Sequence, residues 1–279
     1  MVLLTLLLSA CASYPPITLK DWNSGLDTQW LSIEEHQLLR LKKPAEHPSA
    51  IHIYLEGDGT PWVNRYFIAQ NPTPRYPLAL ALMKRDEQLG FYIGRPCYYQ
   101  EPLFYKQLAE GKTSSPCNFH YWTDARYSDN IVALMSRAIT ITLEQLPANE
   151  QSLPVILIGH SGGGTLAMLV AQRVAAVDGV ITIAANMDTD AWTEYQHYSP
   201  LKKSINPATI LPLRHIAQVH FAGSADEVVP PKINADLMKK MNQQFMIKEG
   251  FTHSCCWLNE WPELLSIATE QMNLNQQLP

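Results

Sequence analysis

An α/β architecture, a mainly parallel sheet with helices on both faces, is predicted by three observations in the sequence. Short apolar runs rich in β-branched residues recur between residues 51 and 248, and several are apolar at consecutive positions, as strands buried on both faces must be. Between them lie segments of about ten to fifteen residues with apolar side chains at three- and four-residue steps, the helical period. The alternation of the two types is the pattern of strands joined by crossover helices.

Each element has its own signal. Ile51-His-Ile-Tyr-Leu55 reads as a buried strand, and Glu56-Gly57-Asp58-Gly59 as the tight turn that ends it. Pro72, Pro74 and Pro77 mark a loop, Leu78 to Leu89 has helical spacing, and Phe91-Tyr92-Ile93 is a strand stopped by Gly94. Ser128 is a good N-cap for a helix that runs toward Pro147. A strand follows at Val155 to Ile158, a helix at about Thr165 to Ala176, and a strand at Val180 to Ala184. A polar aromatic loop leads to a strand at Ala217 to Phe221, a helix near Lys232 to Asn242, a strand at Phe245 to Lys248, and a last helix over Trp261 to Asn273.

The chain of 279 residues, 46% hydrophobic and 17% charged, has the composition of one globular domain. Such a length buries roughly 70 to 75% of the unfolded surface, so no metal or disulfide framework is needed to fold it. The formal net charge is −5, and the basic residues form no run longer than Lys42-Lys43 or Lys239-Lys240, which argues against a nucleic-acid partner.

The opening MVLLTLLLSACAS is apolar but too short to span a bilayer as a helix. Leu8-Ser9-Ala10-Cys11 resembles the lipobox of bacterial lipoprotein signals, although no positive charge precedes it. The resemblance implies a signal segment over 1–10, a lipid on Cys11, a tether over 11–30 and a single domain over 31–279. It also implies export to the bacterial cell envelope and a membrane partner through the lipid anchor. An oxidising compartment permits disulfides among Cys97, Cys117, Cys255 and Cys256. Cys97 and Cys117 form the natural loop, worth roughly 3 kcal/mol if unstrained, whereas Cys255-Cys256 can close only a vicinal ring, and its state stays open. No metal is expected, because neither CxxC nor HxxxH spacing is present.

Gly159-His160-Ser161-Gly162-Gly163 fits GxSxG, with a strand before it and a helix after it. In that setting the serine is held in a strained turn and its hydroxyl is lifted above the sheet. A glycine-rich turn of this kind can also bind phosphate, but the chain has neither GxGxxG nor a P-loop lysine at this turn. A serine nucleophile needs a base and an acid to orient that base. Gly223-Ser-Ala-Asp226 follows one downstream strand, and Gly250-Phe-Thr-His253 follows the next. Asp188 and Asp190, one strand earlier, compete for the acid's role. His52 and His220 sit in predicted strands and are expected to be structural, with His160 packed beside the turn.

With Ser161, Asp226 and His253 in that order, the chain resembles the α/β-hydrolases over roughly residues 50 to 270. The resemblance implies an oxyanion hole from the amides of Gly162 and Asp58, with Gly59 as the substitute, and no cofactor. Glu56 stands where the family often has histidine. Trp62, Tyr66, Phe67, Trp192, Tyr195 and Trp257 are candidates for a substrate cleft, and the Cys97 to Cys117 segment is an insertion of cap-loop size expected to restrict access. The function expected is a serine hydrolase that cleaves an ester, or an amide or thioester, of a small acyl substrate. Two rivals stand beside it: an envelope lipoprotein that uses the fold only for binding, and an acyltransferase with the same three residues.

Overall fold

The computed structural model describes residues 24–100, 102–112, 115–210 and 216–276. The expected signal segment and Cys11 lie outside them. Among the described residues no helix is long and apolar enough to cross a membrane.

The elements run in the order β1 (Asp27–Ile33), β2 (His36–Lys43), β3 (Ile51–Leu55), α1 (Leu78–Arg85), β4 (Leu89–Ile93), α2 (Pro102–Ala109), a 3-10 turn at Phe119–Trp122 and α3 (Asp129–Glu144). They continue with β5 (Val155–His160), α4 (Gly162–Ala171), β6 (Gly179–Ile183), α5 (Thr189–Tyr195), a 3-10 turn at Pro207–Thr209, β7 (Ala217–Gly223), α6 (Pro231–Met241), β8 (Gln244–Lys248) and α7 (Trp257–Gln276). The strands form one sheet in the order β1-β2-β4-β3-β5-β6-β7-β8, antiparallel at β1/β2 and β2/β4 and parallel elsewhere.

Every residue of β3, β4 and β6 is buried, which is why their sequences are apolar on both faces, apart from His52 and Thr182, rather than alternating. One face carries α3 and α4, whose Ile131, Met135, Leu166 and Val170 pack on Ile53, Leu157 and Val180. The other carries α1 and α7, whose Leu80, Met83, Trp261 and Leu264 pack with Tyr54, Ile158 and Phe221. Because the central strands are parallel, the loops that follow β3, β5, β7 and β8 gather on one edge.

Four sequence expectations are corrected. The predicted tether over 11–30 overlaps β1, which begins at Asp27 and forms a hairpin with β2 in the register Leu31↔Leu38. The turn is Glu34-Glu35, with Glu34 at φ 52° instead of the usual glycine or asparagine, so nothing local marks it. The helix expected to reach Leu89 ends at Arg85. Asp86 turns away in an extended conformation, and its carboxylate sits 2.6 Å from both His52 Nδ1 and Tyr54 OH and accepts the Gln88 amide. The helix expected to begin near Thr165 already starts at Gly162. Finally, the loop after β6 contains a helix, α5, capped by Asp188.

Cys97 and Cys117 are joined, as expected. Among the described residues, however, none inside this disulfide loop lines the cleft above Ser161. Tyr98, Tyr99 and Tyr105 of this segment are buried in the core, and Tyr105 OH donates to the Cys97 carbonyl.

Candidate active site

Ser161 ends β5 and caps α4 with φ 52° and ψ −126°, a backbone state costly for any residue with a Cβ. Its amide donates to the Ile183 carbonyl and its carbonyl accepts from Gly164, so the strand and the helix both hold the turn. The approach is close enough to exclude side chains. A Cβ at Gly159 would overlap the Gly163 carbonyl, and one at Gly163 would overlap the Leu55 carbonyl.

The other two residues come from the loops after β7 and β8. Ser161 Oγ lies 3.0 Å from His253 Nε2, and His253 Nδ1 lies 2.9 Å from Asp226 Oδ2. The remaining Asp226 oxygen accepts the amides of Val228 and Val229, each at 2.8 Å, which fixes the carboxylate's rotation. The two loops are tied together by the Ala225 amide, which donates to the Phe251 carbonyl. His160 packs beside the turn as expected. Its ring centroid is 5.0 Å from that of His253, and its Nε2 donates to the His253 carbonyl. Asp188 and Asp190 are elsewhere: Asp188 caps α5 through the Ala191 amide, and both accept from Asn206 Nδ2.

The electrostatics follow from burial set against these partners. Burial raises Asp226, but its hydrogen bond and charge contact with His253 and the two amides hold its carboxyl below the ordinary value. Burial lowers His253; Asp226 pulls it back up, His160 pushes it down again, and the net is below the ordinary imidazole value of 6.5. A base must be neutral to accept a proton. For any reaction that uses His253 as its base, kcat/KM is therefore expected to rise with pH along an acid limb whose midpoint falls below 6.5, measured as a pH profile with p-nitrophenyl butyrate. A midpoint above that value would contradict the environment described.

Gly162 is the first residue of α4, so its amide lies at the positive end of the helix. The loop after β3 lies against it: a Cβ at Gly57 would sit 3.3 Å from Ser161 Cβ, and one at Gly162 would overlap Asp58 Oδ1. Glu56 is buried and accepts the amides of Gly57 and Ala79.

Sequence reasoning missed what Asp58's side chain does. Its carboxylate is ion-paired with Arg95 Nη1 at 2.6 Å and Arg126 Nη1 at 2.8 Å, and accepts the Tyr127 hydroxyl, while Tyr98 OH donates to the Asp58 carbonyl. Burial raises its pKa, but the two guanidiniums and Tyr127 outweigh that and hold it at about 2. No local signal ties Asp58 to this cluster, because its partners lie 37 to 69 residues further along the chain.

Above Ser161 and His253 is a cleft of about 1080 Å³. Trp62 and Trp192 line it as expected, joined by Phe119, Tyr76 and Tyr198. The other aromatic candidates are corrected. Trp257 is fully buried with Phe251, Tyr66 and Phe67 are 79% and 65% exposed outside the lining, and Tyr195 lies outside it under Lys232. Among the described residues the lining also takes some just after Cys117 and none inside the disulfide loop. Among the described residues His36, Cys97 and Cys117 bring metal-ligand atoms within 4.8 Å of one another, but the two sulfurs are bonded together and offer no thiolate.

No protein-family model matches the chain, and neither does any curated protein sequence. Solved structures do. Est1E from Butyrivibrio proteoclasticus is similar with a TM-score of 0.57 and 13% identity, over 88% of this chain and 99% of that one. An alpha-beta serine hydrolase homologue from Coxiella burnetii gives 0.54 and 14% over 88% and 96%, and a proline iminopeptidase-related protein from Thermus thermophilus gives 0.55 and 12% over 88% and 98%. The chain has the α/β-hydrolase fold.

Proposed function

We propose that the protein is a serine hydrolase that cleaves carboxylic esters of small acyl substrates through an acyl-serine intermediate. The observation that supports this best is the hydrogen-bonded chain from Asp226 through His253 to Ser161, which ends in a strained strand-to-helix turn at the floor of a cleft. In the proposed reaction Ser161 Oγ attacks the ester carbonyl carbon and its proton passes to His253 Nε2. The carbonyl oxygen becomes an oxyanion held by the amides of Gly162 and Asp58. Collapse of that intermediate expels the alcohol, which takes the proton from His253. Water then repeats the sequence on the acyl-serine and releases the acid. Asp226 holds His253 with Nε2 toward Ser161 and stabilises the imidazolium. The aromatic walls of Trp62, Trp192 and Phe119 suit the acyl chain or the alcohol. The LSAC segment supports a setting at the bacterial cell envelope, with the enzyme tethered by lipid on Cys11.

The test is rapid-mixing hydrolysis of p-nitrophenyl butyrate. A burst of nitrophenol close to one equivalent, with a butyryl mass on the peptide that contains Ser161, is the expected result. No release above the uncatalysed rate would overturn the proposal and favour the fold's use for binding alone.

A further inference from the structure

The charges around Asp58 do not balance. One carboxylate faces two guanidiniums, those of Arg95 and Arg126, with Tyr127 OH as the remaining donor. Arg95 is spent on this cluster: its Nη1 goes to Asp58, its Nη2 to the Arg126 carbonyl, and its Nε is buried without a partner. Arg126 is different. It is only 6% exposed, yet it lines the same cleft as Ser161 and His253. Its Nε donates to the Thr123 carbonyl and its Nη1 to Asp58, and among the described residues its Nη2 has no hydrogen-bond acceptor.

The other acidic groups of the cleft are already committed. Asp124 is held by His120 Nδ1 at 2.6 Å and Lys203 Nζ at 3.3 Å. Glu56 accepts the amides of Gly57 and Ala79. A guanidinium so buried is costly unless its charge and donors are matched, and the planar fork of arginine is suited to a carboxylate.

We propose that Arg126 binds an anionic group of the substrate, so that the preferred ester carries a carboxylate a few bonds from its scissile carbonyl. This rests on the hydrolase reading and narrows its substrate class. The short distance follows from the packing, since Arg126 reaches Asp58 and Asp58 abuts Gly162, the residue after the nucleophile.

The test compares p-nitrophenyl butyrate with mono-p-nitrophenyl glutarate, which share a leaving group and differ in a terminal carboxylate. Wild type is expected to favour the glutarate ester by about tenfold or more in kcat/KM, mostly through KM, as suits a charge-assisted hydrogen bond. In Arg126→Gln that ratio falls to about one, and Arg126→Lys restores part of it. Because the ratio is read within each variant, a general loss of activity from a disturbed Asp58 cluster cancels. Free glutarate is also expected to inhibit wild-type butyrate-ester hydrolysis competitively, which requires no variant to fold. A ratio near one in wild type, or an unchanged ratio in Arg126→Gln, would overturn the inference while leaving ester hydrolysis intact. If neither ester is turned over, the hydrolase reading has failed. Calorimetry with glutarate then decides the anion site by itself: binding to wild type that Arg126→Gln loses supports it, and no binding overturns it.

Discussion

Ser161→Ala is expected to lower ester hydrolysis by on the order of 10⁵ or more in kcat while the protein stays folded. The loss is large because the hydroxyl is the atom that forms the covalent bond, and among the described residues no other serine or threonine hydroxyl bonds to His253 Nε2. The fold survives because the side chain contributes only that one hydrogen bond. Alanine keeps the Cβ against Gly57, and the turn is held by the backbone bonds to Ile183 and Gly164. Circular dichroism and thermal melting compared with wild type check the second half of the expectation. Substantial turnover in a folded variant would remove Ser161 from the chemistry.

The second large effect is Asp226→Asn, expected to lower kcat by roughly 10⁴. The reason is visible in how the carboxylate is held. One oxygen is occupied by the amides of Val228 and Val229, which an asparagine satisfies only with its own carbonyl oxygen. The amide nitrogen must then face His253 Nδ1 and donate to it. That leaves the proton of the neutral ring on Nε2, pointing at Ser161, where a lone pair is needed to accept the hydroxyl proton. Asparagine also removes the negative charge that stabilises the imidazolium. Asp188→Asn and Asp190→Asn should leave kcat near wild type, since neither touches His253. The comparison is a set of three kcat values, and a large loss at Asp188 or Asp190 with little at Asp226 would assign the acid to the β6 loop.

How much of this was legible in the sequence depended on whether the signal was local. Ser161 could be read because its strand, its glycines and its helix are contiguous, and Asp226 and His253 because each closes a recognisable strand. The Ser128 cap of α3 was legible for the same reason. The β1/β2 hairpin was not, since the Glu34-Glu35 turn carries no glycine and β1 is exposed over its first four residues. Arg95 and Arg126 were invisible as a pair: each is a single basic residue in a loop, and only the folded chain brings both to Asp58. The aromatic walls show the limit of inferring contact from proximity in sequence. Trp257, four residues after His253, points into the core, whereas Phe119 reaches the cleft from the segment that follows the disulfide. The early end of α1 had a long-range cause too, because the partners of Asp86 are His52 and Tyr54 in β3.

The most direct measurement is labelling of the purified protein with a fluorophosphonate, which reacts only with a serine whose proton is taken up by a neighbouring base, whatever the natural acyl group. Peptide mapping should place a single adduct on Ser161, with labelling abolished in Ser161→Ala and strongly slowed in Asp226→Asn. An adduct on a different residue, or a folded wild-type protein that does not label, would contradict the assignment of Ser161, His253 and Asp226 as a working nucleophile, base and acid.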